Sequence, residues 1–267
     1  MRKSTSTELG FTLIETSIVI LVVSMLLACI AVGGSLIQEA KTRAIISDFE
    51  DINTAYKEFK VHYDSIPGDM NNATSYWPNG VCAVTPSDCD GNGNGIIDTQ
   101  YESMAAWRHL SLAGMLNYGL EPFSSNTNIM LIIGADVPAS RVAGSGYMLV
   151  SGDTNQLGID GAIKPSLWND GTNAVFIGRQ ILPNSIYLNR GALTGLQAFN
   201  IDEKIDDGHI SSSGAFLGAD TGNIRTFEQS ALVGSNNSPD SCISATAPYS
   251  YVVNNMATSC GIGMALK

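Results

Sequence analysis

The chain has 267 residues and a formal net charge of −11. Its length suffices for a sizeable core in one or two domains, and its acidity excludes broad nucleic-acid binding, which needs a positive field. Apolar residues make up 44% of the chain, a large share of them within the first 40 positions; the rest is rich in Gly, Ser and Asn with few charges, which suits a secreted, loop-rich domain better than a cytosolic enzyme. The acidity itself has two readings, solubility or calcium affinity.

Residues 1–10 form a short polar stretch that carries Arg2 and Lys3 and ends in Gly10. A secretory signal places its apolar core before its cleavage site. Here the apolar run follows Gly10 and covers residues 11–36. As a helix rising about 1.5 Å per residue, that run is long enough to cross a hydrocarbon core of about 30 Å. Between positions 11 and 37 the only charged residue is Glu15. A lone carboxylate in hydrocarbon costs a few kcal/mol or more, so Glu15 is a candidate functional residue.

The order Gly10-Phe11-Thr12-Leu13-Ile14-Glu15 followed by an apolar run resembles the N-terminus of type IV prepilins and of type II secretion pseudopilins. The resemblance implies cleavage between Gly10 and Phe11 by a prepilin peptidase, N-methylation of Phe11, and assembly in which Glu15 meets the Phe11 amine of a neighbouring subunit. An uncleaved N-terminal anchor is the other reading of residues 1–10, and Arg2 and Lys3 satisfy the positive-inside rule under both. Major pilins often carry a proline within this helix; this chain has none there, and Gly33-Gly34 stand as its local weak point.

Beyond residue 37 the pattern becomes amphipathic. Ile45, Phe49, Ile52, Tyr56, Phe59 and Tyr63 recur at helical spacing on one face, with Lys41, Arg43, Asp48, Asp51 and Lys57 opposite. One long helix over about 11–62 is expected, ended by Pro67-Gly68. The stretch 65–74 reads as a turn, or as polar groups that cap a helix or line an ion site. Its Pro67-Gly68-Asp69, together with Trp107-Arg108-His109-Leu110 and the acidic patch at 201–208, is similar to a subset of bacterial prepilin-like proteins.

Residues 88–98 alternate acids or amides with glycines. Calcium takes six to eight oxygens on a sharply turning loop, and such alternation supplies them. Counting from Asp90 gives Asp90, Asn92, Asn94, the Ile96 carbonyl and Asp98 as ligands, with Ile97 packed inward. The closing acid comes one place late, at Glu102. A frame starting at Asp88 fits less well, because Gly95 then replaces the packing isoleucine. The loop is similar to EF-hand and dockerin loops; a plain Gly/Asn turn is the competing reading, and calcium is the one candidate cofactor.

A helix over 102–117 follows, with Met104, Trp107, Leu110 and Gly114 on its packing face and His109 as a capped or exposed helix residue. Short apolar runs at 129–133, 147–150, 174–177 and 186–188 read as strands. A third helix is expected over 191–200, with Leu193, Leu196 and Phe199 inward. Asp202, Asp206 and Asp207 then form an acidic patch, either a second metal site or a helix cap before an Asp-Gly turn. Five cysteines leave Cys29 in the apolar run and two local pairs, Cys82/Cys89 and Cys242/Cys260. In an oxidising compartment these suggest two loop-closing disulfides, with crossed pairing and free thiols as the alternatives.

The expected class is α+β: a long N-terminal helix, transmembrane then amphipathic, packed on an antiparallel sheet with a loop-rich, disulfide-closed C-terminal region, as the pilin resemblance also implies. The divisions are a leader (1–10), a transmembrane or filament-core helix (11–36), the amphipathic half of the helix (37–66) and a globular domain (67–267). The sequence carries no nucleophile elbow, no HExxH and no P-loop, so no enzyme is expected. The function the resemblance implies is a major or minor subunit of a type IV pilus-like filament; the alternatives are a type II secretion pseudopilin and a membrane-tethered adhesive or binding protein. Its partners would be filament subunits, the prepilin peptidase/methyltransferase and an inner-membrane assembly machinery. The globular domain would be periplasmic before assembly, and the filament would then lie at the cell surface or in the periplasm.

Overall fold

The computed structural model describes residues 10, 12–78, 81, 89–118, 131–151, 168, 171–180, 188, 190–212, 215–228, 242–244, 249–254 and 257–267. Its first element, α1, runs from Leu13 to Tyr63 (51 residues), so the single long helix is present. The chain divides into two compact units, Met1–Lys41 and Thr42–Lys267.

In the first unit α1 opens on a capping box. The Thr12 hydroxyl accepts from the Glu15 amide at 3.3 Å, while Glu15 Oε2 accepts from the Thr12 amide at 2.8 Å. Hydroxyls within this apolar stretch are satisfied by the helix itself: Ser17 donates to the Ile14 carbonyl at 2.8 Å and Ser24 to Ile20 at 2.7 Å. The apolar side chains point into the surroundings, with Leu13 91% and Ile30 71% exposed.

The second unit is built on the amphipathic end of α1. Ile45, Phe49, Ile52, Tyr56 and Phe59 are buried, and Tyr63 packs at their margin. Asp48, expected on the polar face, is instead half-buried and accepts from the Tyr147 hydroxyl at 2.8 Å; burial pushes its carboxyl up. A four-stranded antiparallel sheet covers the stripe. Its strands are β1 (Ser145–Ser151), β2 (Asn173–Arg179), β5 (Ile224–Glu228) and β6 (Cys260–Ala265), in the order β1-β2-β6-β5. Phe49 meets Tyr147 edge-on at 5.8 Å, and Asn173 Nδ2 donates to the Tyr56 hydroxyl at 3.1 Å. Every β1 residue is buried, because helix α2 (Gln100–Leu112) also packs against that strand.

Strand β6 escaped the sequence reading. Its apolar residues Ile262 and Met264 alternate with Gly261 and Gly263, and the glycines face aromatic rings. A Cβ at Gly261 would overlap the ring of Phe227, its partner in β5, and one at Gly263 would overlap Phe176, its partner in β2. The two rings meet edge-on at 5.8 Å and fill the face that β6 leaves empty. A strand with one bare face looks like loop composition. A small ladder of β3 (His209–Ile210) and β4 (Phe216–Leu217) lies apart from this sheet.

Two expected strands are described only in part. At 129–133 only 131–133 are described, and Ile133 merely bridges to Val137 around the Gly134-Ala135-Asp136 turn. At 186–188 only Leu188 is described; it is buried but outside any strand.

Helix boundaries shift for identifiable reasons. The α2 helix begins two residues early on a Thr99/Glu102 capping box and ends at Leu112. Gly114, at φ 70°, closes a Schellman motif in which the Met115 amide reaches the Leu110 carbonyl and the Gly114 amide reaches Ser111. The third helix, α3, spans Gly195–Ile205 behind a Thr194/Gln197 capping box. Leu193 therefore lies before it, in a bridge to Cys260, and Leu196 is 45% exposed rather than inward.

Cys242 and Cys260 are joined by a disulfide, which ties the C-terminal loop to β6. Cys89 is buried and disulfide-bonded; Cys82, its expected partner, lies outside the described residues. Cys29 is a free, exposed thiol on α1.

Candidate functional site

At the expected cleavage point Gly10 is exposed; Phe11 lies outside the described residues. Glu15 is exposed, and its Oε2 is shared by the Thr12 amide and hydroxyl, each at 2.8 Å. The most apolar 18-residue window of α1 has a mean hydropathy of 2.6 and none of it is buried, so this helix is long and apolar enough to cross a membrane. Removing each of its Leu, Ile and Val side chains from water is worth about 1.5–3 kcal/mol. An uncovered surface of that size demands lipid or other helices.

The loop at 89–99 is organised around a residue the sequence reading did not single out as a ligand. Asp69 is 2% exposed. Its Oδ1 accepts from the amides of Gly93 (2.7 Å) and Asn94 (3.1 Å), and its Oδ2 from that of Gly95 (2.7 Å). Gly91 lets the loop lie directly on the Asp69 backbone, where a Cβ would overlap it. The groups facing inward at 93–95 are therefore N–H donors. Of the residues expected around calcium, Asn92, Asn94 and Asp98 do come together: the two amides donate to Asp98 at 3.1 and 2.7 Å. The Asn92 and Asn94 oxygens accept from the Asn94 and Ile96 amides, both at 2.9 Å. Asp90 turns away to the Thr74 amide and hydroxyl. Glu102 is buried and accepts from the amides of Asn92, Asp98 and Thr99 at 3.0–3.1 Å. Burial pushes its carboxyl up to about 7; the Asp98 side chain adds to the shift, and the Asn92 and Asp98 amides oppose it. Ile97 packs inward as expected. A polar cavity of about 510 Å³ adjoins this loop, lined by residues that include Lys60, Tyr63, Asp64, Asn71 and Asn72.

His109 locks the same region and is neither exposed nor a cap. Its Nδ1 accepts from the Gly68 amide at 3.0 Å, which leaves the proton on Nε2 to donate to the Cys89 carbonyl at 3.1 Å. The ring stacks on Trp77 at 5.5 Å and on Phe59 at 6.1 Å. The stretches Pro67-Gly68-Asp69 and Trp107-Arg108-His109 thus meet through one imidazole.

Burial depresses His109 to about 4 from an ordinary 6.5. The unfolded chain therefore binds the extra proton first, and the contribution of neutral His109 is complete above pH 6.5 and lost as pH falls towards 4. A shift of that size corresponds to a loss on the order of 3 kcal/mol. Glu102 acts in the opposite sense over an overlapping range, because its raised carboxyl stabilises the folded state at low pH. The histidine's part is isolated by urea unfolding of the full chain in detergent at pH 7 and 4.5, for wild type and His109→Gln. Wild type should lose about 2 kcal/mol more than the variant between the two pH values; equal losses would contradict the buried neutral imidazole.

The end of α3 gathers the other acidic group. Asp202 is on its last turn, Asp206 is its C-cap, and Asp207 follows. Carboxylate oxygens of the three lie within 4.8 Å of one another. Asp202 is fully buried; its Oδ2 accepts from the Tyr251 hydroxyl at 2.9 Å, which itself accepts from Thr226 at 2.8 Å. Burial pushes Asp202 up to about 8; Asp207 and Asp206 add to the shift, and the Tyr251 hydroxyl opposes it. Asp206 anchors the next turn by accepting from the Ile224 amide at 2.9 Å and from the amide and side chain of Asn223. Asp207 accepts from the Thr221 hydroxyl at 2.6 Å. The helix-cap reading holds, since Asp206 is the C-cap of α3, and the cap belongs to the acidic cluster.

The residues that sequence reasoning missed, Asp69 and the structural role of His109, act across long sequence separations and left no local signal. The capping boxes at Thr12/Glu15, Thr99/Glu102 and Thr194/Gln197 did leave one, the S/T-x-x-E/Q spacing. Comparison of the chain with family models, curated proteins and solved structures found no match.

Proposed function

We propose that the chain is a structural subunit, major or minor, of a type IV pilus-like filament, cleaved between Gly10 and Phe11 and assembled through the apolar half of α1. One observation carries this reading. The first unit is a helix whose described apolar side chains are exposed, and its apolar run at 11–36 holds a single charged residue, Glu15, near its start. Such a helix is stable in lipid and equally stable in a bundle of its own kind.

The electrostatics supply the direction of assembly. Cleavage creates a positive amine on Phe11 and leaves Glu15 negative, and neither is comfortable alone in an apolar medium. The capping box holds Glu15 at the helix N-terminus through Oε2, where the helix dipole favours an anion. Oε1 takes no part in those bonds. A neighbouring subunit's Phe11 amine reaching Oε1 pairs both charges while the apolar helices close around them. The acidic globular domains then face solvent. Before assembly the chain is held in the inner membrane by the same helix, with the globular unit in the periplasm, where the Cys242–Cys260 disulfide is at home.

The reading is tested by shearing surface filaments from cells that express the chain, with and without an active prepilin peptidase. The chain should enter the sheared fraction only when the peptidase is active. Equal recovery in both strains would refute assembly by this route.

A further inference from the structure

The acidic cluster at the end of α3 plays no part in the assembly reading, and its chemistry is incomplete as it stands. Asp202 is 0% exposed, yet its Oδ1 has no hydrogen-bond partner. A bare buried carboxyl oxygen calls for a proton, a donor or a cation. Asp206 and Asp207 bring further carboxylate oxygens to within 4.8 Å. The backbone is fitted closely around these groups: a Cβ at Gly218 would press on Asp202 Oδ2, and one at Gly222 would overlap Asp206 Oδ2.

We propose that Asp202, Asp206 and Asp207 hold a divalent cation, calcium in preference to a transition metal, which ties the end of α3 to the turn before β5. An all-oxygen donor set selects a hard ion. Oxygens within 4.8 Å of one another can share one cation, and calcium accepts an irregular oxygen set that magnesium's strict octahedral shell does not. One ion answers the unpartnered Asp202 oxygen and the mutual repulsion of the three carboxylates together. Asp207 is exposed, so water completes the coordination from that side. This site is separate from the loop at 90–98 and independent of the filament reading.

The test uses the full chain in detergent, stripped with chelator and titrated with calcium chloride by calorimetry and thermal melting. Wild type should bind calcium and gain about 5–10 °C in Tm at a hundredfold excess over Kd. Asp207→Asn, a change at an exposed residue, should weaken binding at least tenfold and remove the gain. Asp98→Asn should leave both intact, which separates this cluster from the other loop. Asp202→Asn should also abolish the response while keeping its Tm in chelator at or above that of wild type. The proposal is overturned if wild type shows neither heat nor Tm gain, which would make Asp202 a buried neutral acid. It is equally overturned if Asp207→Asn keeps the full gain, or if Asp98→Asn alone removes it.

Discussion

Replacing Glu15 with alanine is expected to remove the chain from sheared filaments while leaving it in the membrane fraction. The variant would bring its neighbour's Phe11 amine into an apolar core with no partner. Breaking a buried pair by removing one member costs about 3–5 kcal/mol, or roughly a hundredfold to a few thousandfold in incorporation. The structure adds a control. Glu15 also caps α1 by accepting from Thr12, and Glu15→Gln keeps an oxygen for that cap while discarding the charge. Both variants should fail to assemble if charge pairing drives assembly. Normal incorporation of Glu15→Gln would instead reduce the residue to a helix cap. Because the pilin resemblance also links this acid to methylation, the mass of each variant should be read beside its incorporation.

The largest effect on folding is expected at Asp69, not at the acids of the apparent calcium loop. Asp69→Ala strips the acceptor from three amides, those of Gly93, Asn94 and Gly95, beneath a loop that covers it. Hydrogen bonds to a charged group are worth about 1.5–3 kcal/mol each, and orphaned buried donors add to the loss. Since they share one carboxylate, a total of about 3–5 kcal/mol is a reasonable scale. That corresponds to a fall in Tm of about 10 °C for a unit of this size. Asp98→Ala loses two bonds from exposed asparagine side chains and should cost less than about 1.5 kcal/mol. Melting of the two variants in chelator decides the matter. A larger loss at Asp98 than at Asp69 would mean that the loop is centred on its own acids.

Wherever one element carried its own periodicity, the architecture could be read in advance. The stripe Ile45, Phe49, Ile52, Tyr56 and Phe59 is the core face of α1, because a 3.6-residue repeat survives into packing unchanged. Strands β1 and β2 announced themselves with apolar runs. Strand β6 did not, since the side chains on one of its faces are supplied by Phe176 and Phe227 from neighbouring strands. Around the 89–99 loop the alternation of Asn and Gly was visible, but what the loop turns on was not. Asp69 lies 24 residues before Gly93, and His109 reaches back 41 residues to Gly68. Burial of a polar residue against distant backbone has no local signature, whereas Glu102 and Thr99 do, through their spacing. The acidic patch was legible as charge. Its geometry depended on α3 running to Ile205, with Asp206 as its C-cap, rather than ending at residue 200.

The central claim, that the apolar half of α1 is a processed assembly helix, is tested most directly by intact mass and N-terminal sequencing of the chain recovered from its own membrane or surface fraction. The account predicts a chain that begins at Phe11 and is heavier by one methyl group. A chain that still begins at Met1 would contradict it. The exposed helix would then be a plain membrane anchor, and the globular unit a tethered binding domain.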